Sequence, residues 1–214
     1  MKTELTFVAL LMLFFPGQMV VPDFGADGLA GLSAEEQRKL IAEEIVVPEE
    51  PMMTEGGKTM VTAALLIHKP VGKVWEVLSS PEIQAEYLPE VKKAQLISRE
   101  GGEDRVRFEV KIWGTTVRYT VIHRFYPEIN ALTWTLDPAS PNDLEEFQGF
   151  WRLYPWAEDK TLARYGSLVA PRFGLAKWVI QMLYRRRVRQ SLLSVKTYVE
   201  SLAFPLDIHG LDAL

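Results

Sequence analysis

The side chains best suited to moving a proton at neutral pH or binding a transition metal are scarce in this sequence. There are three histidines, His68, His123 and His209, and no cysteine. The missing cysteine excludes a disulfide framework, thiolate catalysis and a lipid-anchored thiol. The histidines show no metal-ligand spacing and no paired carboxylates. Neither G-x-S-x-G nor H-E-x-x-H occurs. No metal, no cofactor and no catalytic set is assigned. Gly56-Gly57-Lys58-Thr59 ends like a phosphate loop, but the required first glycine would fall at Met52. No strand leads directly into a helix there, so a glycine turn in a hairpin is the reading. His123 is the one histidine predicted to point inward, and an interior histidine is more often a satisfied core residue than a catalytic one.

The elements that must position these groups are mostly strands. Thr59–His68 reads as a strand, and Pro70 then opens a helix with Val71, Val74, Trp75 and Leu78 at i, i+3, i+4 and i+7. Ser80-Pro81 opens a second short helix, stopped by Pro89. Six strands follow: Lys92–Ser98, Arg105–Trp113, Thr115–Phe125, Ala131–Leu136, Leu144–Leu153 and Thr161–Val169. Val106, Phe108, Val110 and Ile112 alternate with charged residues, as do Val117, Tyr119, Val121 and His123 with polar ones. Short connections make this an antiparallel meander with one apolar face to cover. The cover is a last helix from Gly174 to about Ala203, about 45 Å long. Its second half carries the stripe Val188, Leu192, Val195, Val199 and Leu202. Upstream, Ser33-Ala34-Glu35-Glu36 is a capping box opening a helix to about Glu44, and Ile45-Val46-Val47 reads as a first strand. The fold class is therefore α+β: a curved antiparallel sheet wrapped around a long C-terminal helix, with two short helices after the first core strand.

Three local sequences carry a resemblance. Pro70-Val71-Gly72-Lys73-Val74-Trp75-Glu76-Val77-Leu78 resembles the P-x-x-x-V-W-x-V-L opening helix of the polyketide cyclase and coenzyme-Q-binding branch of the START/Bet v 1-like helix-grip superfamily. Tyr87-Leu88-Pro89-Glu90-Val91 resembles that branch's aromatic-leucine-proline turn, and Gly149-Phe150-Trp151-Arg152-Leu153 with Pro155 its G-x-W-x-[FL]-x-P strand. The resemblance spans roughly residues 44–202. It implies a cavity between sheet and helix for a hydrophobic small molecule, lipid or quinone-like. Inward candidates for its lining are Tyr87, Leu88, Phe108, Val110, Ile112, Tyr119, His123, Leu132, Trp134, Phe147, Trp151 and Tyr165, with Leu175, Trp178 and Met182 from the helix. Gly149, a glycine in mid-strand on the inward face, is expected to leave room for ligand. Two functions stay open: a non-enzymatic carrier, or a cyclase/aromatase-like enzyme in which His123, Tyr119 and Tyr165 would act as acid, base or enol-orienting groups. A distant third is a partner-binding domain like the ribosome-associated toxin branch, which a genuine export signal would remove.

The organisation expected is a signal peptide or anchor at 1–22, a linker and short helix at 23–43, the ligand-binding domain at 44–204 and a tail at 205–214. The apolar run Leu5–Phe15 behind Lys2 suits a signal-peptide core and is short for a membrane span. The expected location is the bacterial periplasm or envelope, with a frayed cytoplasmic start as the alternative. The net charge of −4 argues against a nucleic-acid partner. Charge is uneven: Lys160–Phe204 holds nine Lys/Arg and one acid, Ser33–Gly57 seven Glu and two bases. Leu175–Tyr184 is apolar nearly all round and runs into Arg185, Arg186, Arg187 and Arg189. Either an anionic membrane surface meets the Leu175–Arg189 region, or other loops cover the apolar face and the arginines are solvated or paired with the upstream glutamates.

Overall fold

The computed structural model describes residues 19–54, 57–112, 114–171 and 177–203, with the backbone alone for 112, 171 and 177–184. The expected leader and tail lie largely outside these residues. Helix α1 (Ala34–Ile41) starts where the capping box predicts. The Glu36 N–H donates to Ser33 Oγ at 3.3 Å, and the Ser33 N–H donates to Glu36 Oε2 at 2.8 Å. The helix ends three residues before Glu44, with Glu43 at a φ of 65°. The strand expected at Ile45–Val47 is a single bridge, Val46 to Ala64. Pro48 two residues later has no N–H with which to continue the ladder.

Strands β1 (Met52–Met53) and β2 (Thr59–Ile67) form a hairpin, and Gly57 in its turn takes a φ of 71°, open to glycine. The glycine turn is thus a hairpin turn. Then come α2 (Val71–Leu78), a 3-10 turn (Pro81–Ile83) and the short α3 (Gln84–Tyr87). The meander is β3 (Val91–Glu100), β4 (Glu103–Ile112), β5 (Thr115–Tyr126), β6 (Ala131–Leu136), β7 (Leu144–Ala157) and β8 (Lys160–Pro171). Helix α4 (Lys177–Ser201) closes the fold. All eight strands are antiparallel neighbours in the order β1-β2-β8-β7-β6-β5-β4-β3, an open curved sheet. Among the described residues no helix is long and apolar enough to cross a membrane.

Two cores flank the sheet. The main one lies in its concave face, where Val188, Leu192, Val195 and Val199 of α4 pack with Val106, Phe108, Leu132, Trp151 and Ala163. The stripe read from the sequence is the buried face of α4. From α2, Val74, Val77 and Leu78 are buried, while Trp75 is only half-buried, its ring edge-on to Phe125 at 6.4 Å. The second core lies on the convex face. Phe24, Leu32, Leu40 and Val46 cover Met60, Ala64, Leu66, Phe150, Leu162 and Leu168. Arg164 anchors this N-terminal strap: its Nη1 donates to the carbonyls of Gly28 (2.6 Å) and Ala30 (3.2 Å), and its guanidinium sits 3.8 Å from the Phe24 ring centre. Arg152 Nη1 donates to the Pro22 carbonyl at 2.9 Å. The segment expected as linker and short helix thus lies on the convex face.

Candidate functional site on the concave face

Alternation along β4 to β8 brings the predicted inward residues onto one surface. Register sets Phe108 opposite Tyr119, Val110 opposite Val117, His123 opposite Trp134, Trp134 opposite Gly149, and Trp151 opposite Tyr165. The rings form one continuous group. Phe108 stacks on Tyr119 at 5.6 Å, Tyr119 meets Phe147 at 5.2 Å, and Trp134 lies 6.1 Å from Phe147 and 5.8 Å from Tyr165. Trp151 lies 4.8 Å from Tyr165, and His123 lies 6.5 Å from Trp134. Phe108, Val110, His123, Trp134 and Trp151 are buried, whereas Tyr119, Phe147 and Tyr165 keep part of their surface accessible.

At one end Tyr87 is buried against Tyr198, 4.8 Å between ring centres, and Leu88 is partly buried beside it. The Tyr198 hydroxyl donates to Glu86 at 2.6 Å. For Ile112, Trp178 and Met182 the side chains lie outside the described residues, as does Leu175 altogether. Arg185, from the basic cluster, docks on backbone: it donates to the carbonyls of Glu49 (2.8 Å), Val47 (3.2 Å) and Pro48. Lys160 and His68 both meet Glu43 at 2.9 Å. Part of the basic half therefore does face the acidic segment, while Arg186, Arg187 and Arg189 are exposed.

Gly149 does not leave open space. A β-carbon there would stand 2.3 Å from Trp134 Cζ2 and 2.3 Å from the Gly166 carbonyl oxygen. The indole of Trp134 fills the place of the missing side chain, a close approach that only glycine permits.

Burial keeps His123, Tyr119 and Tyr87 uncharged on this face. Burial drives the His123 pKa down to about 4, against opposing pulls from the Asp104 charge and backbone. Burial pushes the Tyr119 phenol up, with Tyr165 and Glu90 adding to it, and does the same to Tyr87. Asp104 itself was missed from the sequence. It lies opposite His123, is 2% exposed, and is gripped by Arg99 Nε (2.9 Å to Oδ1) and Nη2 (2.7 Å to Oδ2). Its signal was the alternation of Val106 and Phe108 continued two residues back. Ser167, opposite Gly149 and fully buried, was missed as well. Among the described residues no cluster of His, Asp and Glu could hold a metal.

Among curated proteins none matches this chain. Several solved structures share its fold. A START superfamily protein from Mycobacterium smegmatis aligns at a TM-score of 0.60 and 17% identity, over 67% of this chain and 99% of that one. The Zhui aromatase/cyclase from a Streptomyces species aligns at 0.59 and 18%, over 66% and 93%. A STAR-related lipid transfer protein from Xanthomonas axonopodis aligns at 0.59 and 14%, over 72% and 92%. At such identities the likeness is one of fold. The sequence itself goes further: residues 58–200, from the start of β2 to the end of α4, match the model of one family, and the chain belongs to that polyketide cyclase / dehydrase and lipid transport family.

Proposed function

We propose that the protein binds and carries a hydrophobic small molecule, a lipid or an isoprenoid quinone of the coenzyme-Q kind, between the concave face and α4. The observation that carries this reading is Tyr119. It lies deep enough for burial to push its phenol pKa up, yet part of its surface stays accessible, as do Phe147 and Tyr165 beside it. Side chains that are both deep and uncovered line a space rather than fill a core. The family and its structural neighbours include both lipid carriers and aromatase/cyclases. Acid–base catalysis is the weaker reading, because a His123 with a pKa of about 4 holds a proton at pH 7 roughly one part in a thousand. The test is mass spectrometry of an organic extract of the purified protein. A stoichiometric apolar molecule is expected; an empty protein that also takes up no apolar probe would overturn the reading.

The reading includes a place of work. Leu5–Phe15 serves as an export signal or anchor, and Arg186, Arg187 and Arg189 meet an anionic lipid surface as ligand is exchanged. Co-sedimentation with liposomes should fall when the anionic lipid is left out or when these three arginines become glutamine. Arg185 is left in place, since it holds the Val47–Glu49 backbone. Full-length protein found soluble in the cytosol would refute the export part.

A further inference from the structure

We propose that His123, Trp134 and Ser167 form a recognition site for the uncharged, hydroxyl-bearing head of an otherwise apolar ligand. This rests on the reading that the concave face binds such a molecule.

Buried polar atoms ordinarily find partners. Among the described residues of this face three do not: His123 Nδ1, Trp134 Nε1 and Ser167 Oγ, on residues 4%, 6% and 0% exposed. They fall on one line across the sheet. The register runs His123 to Trp134, Trp134 to Gly149 and Gly149 to Ser167, from β5 to β8. The unpartnered atoms of Thr120, Thr133, Arg152 and Arg164 belong to the opposite face by alternation. Gly149 is what lets the line close up. With no side chain there, the indole lies across β7, its Cε2, the neighbour of Nε1, 2.6 Å from where a β-carbon would be. The N–H edge is thereby carried toward β8, where Tyr165 meets the same indole at 5.8 Å.

The chemistry of the three atoms defines their complement. Trp134 Nε1 only donates. His123 is neutral, so its unpartnered Nδ1 either donates or accepts, according to the tautomer. Ser167 can do either. A row offering one fixed donor and two groups that donate or accept suits a head that both accepts and donates, which a hydroxyl or phenol does. A hydrocarbon leaves all three unsatisfied. A ketone or methyl ether only accepts, so it answers the indole N–H but brings no proton to His123 or Ser167. A carboxylate would find no cation in the row and would face the charge of Asp104 beside His123. For a quinone couple this selects the quinol over the quinone.

The experiment compares 4-nonylphenol, its methyl ether and nonylbenzene by calorimetric titration of the full chain. The phenol is expected to bind at least about tenfold more tightly than either analogue. Ser167→Ala should shrink that preference severalfold and leave nonylbenzene binding as in wild type, and Trp134→Phe should shrink the preference as well. Ser167→Ala should melt no lower than wild type, because it removes a hydroxyl that makes no bond in the protein. That combination separates recognition from a structural role. Equal affinity for all three probes, or variants that keep the wild-type preference, would overturn the head-group site while leaving the apolar site standing. Binding of none of the three would overturn the ligand-binding reading and this inference with it.

Discussion

Gly149→Ala is the smallest change that tests the packing of this site. The added methyl carbon would lie 2.3 Å from Trp134 Cζ2, 2.6 Å from Trp134 Cε2 and 2.3 Å from the Gly166 carbonyl oxygen. Relief requires about 1 Å of movement, given that non-bonded carbon contacts settle near 3.5 Å. Neither neighbour moves cheaply. The carbonyl belongs to the β7–β8 ladder, and the indole is held by His123, Phe147 and Tyr165. Overpacking a core costs typically 1–3 kcal/mol, and a backbone clash puts this case at the upper end, about 3 kcal/mol. For a chain of this size that is a drop in Tm of about 6–12 °C. Gly72→Ala is the control: it sits in α2 with nothing within 4 Å of the new carbon, and should gain about 0.5–1 kcal/mol from helix propensity. Thermal melts followed by circular dichroism read both. A Gly149→Ala protein melting within about 2 °C of wild type would refute the close approach of Trp134 to β7. The same geometry means that Gly149→Phe would disrupt β7 and β8, whereas a glycine that left room for ligand would have tolerated the ring.

Three other changes probe the remaining links. His123 has a folded pKa of about 4 against 6.5 for the free side chain, so between these values the unfolded chain holds more protons; stability is whole above about pH 6.5 and falls as pH drops toward 4, by on the order of 3 kcal/mol. His123→Phe should flatten that part of the Tm-against-pH curve, and identical curves would exclude the assignment. Trp151→Ala should cost about 3–5 kcal/mol, because its side chain is buried against Tyr165 in the main core; a normal melting temperature would contradict the β7 register. Arg164→Leu removes two charge-assisted bonds to the strap, each about 1.5–3 kcal/mol, and limited proteolysis should then cut residues 19–44 first while the rest stays protected. Unchanged cleavage would mean that the apolar contacts of Phe24 and Leu32 suffice.

What could be read from the chain was whatever local periodicity determines. The Val188-to-Val199 stripe, the alternation of β4 and β5, and the Ser33–Glu36 cap each follow from spacing alone, and each stands in the structure. The convex core was legible in principle. Ala63 through Ile67 is apolar without alternation and buried at every position, the mark of a strand covered on both sides. The sequence does not say what covers it, because Phe24, Leu32 and Leu40 meet β2, β7 and β8 only through tertiary contact. Asp104 escaped because it opens its strand beside Glu103, where polar residues look like turn. The filling of the Gly149 site by Trp134 depends on one rotamer on a neighbouring strand, which no periodicity encodes.

The two cores are not independent. Gly149 faces Ser167 and Phe150 faces Gly166 in adjacent register, and each glycine lies under an aromatic ring. On the concave side the ring is Trp134 over Gly149; on the convex side it is Phe150, whose Cε1 would stand 2.3 Å from a β-carbon at Gly166. The β7–β8 backbone is thus held between two rings on opposite faces. Phe150 in turn meets Phe24 of the strap at 5.7 Å. A chain of direct contacts therefore runs from the strap, through one sheet thickness, to the indole of the concave face. That arrangement bears on the unpartnered row. Each orphaned buried atom costs about 1–3 kcal/mol, a large share of the stability of a typical domain. A strand that carries such an atom on one face needs apolar burial elsewhere, and β8, which carries Ser167, obtains it from the strap on the other.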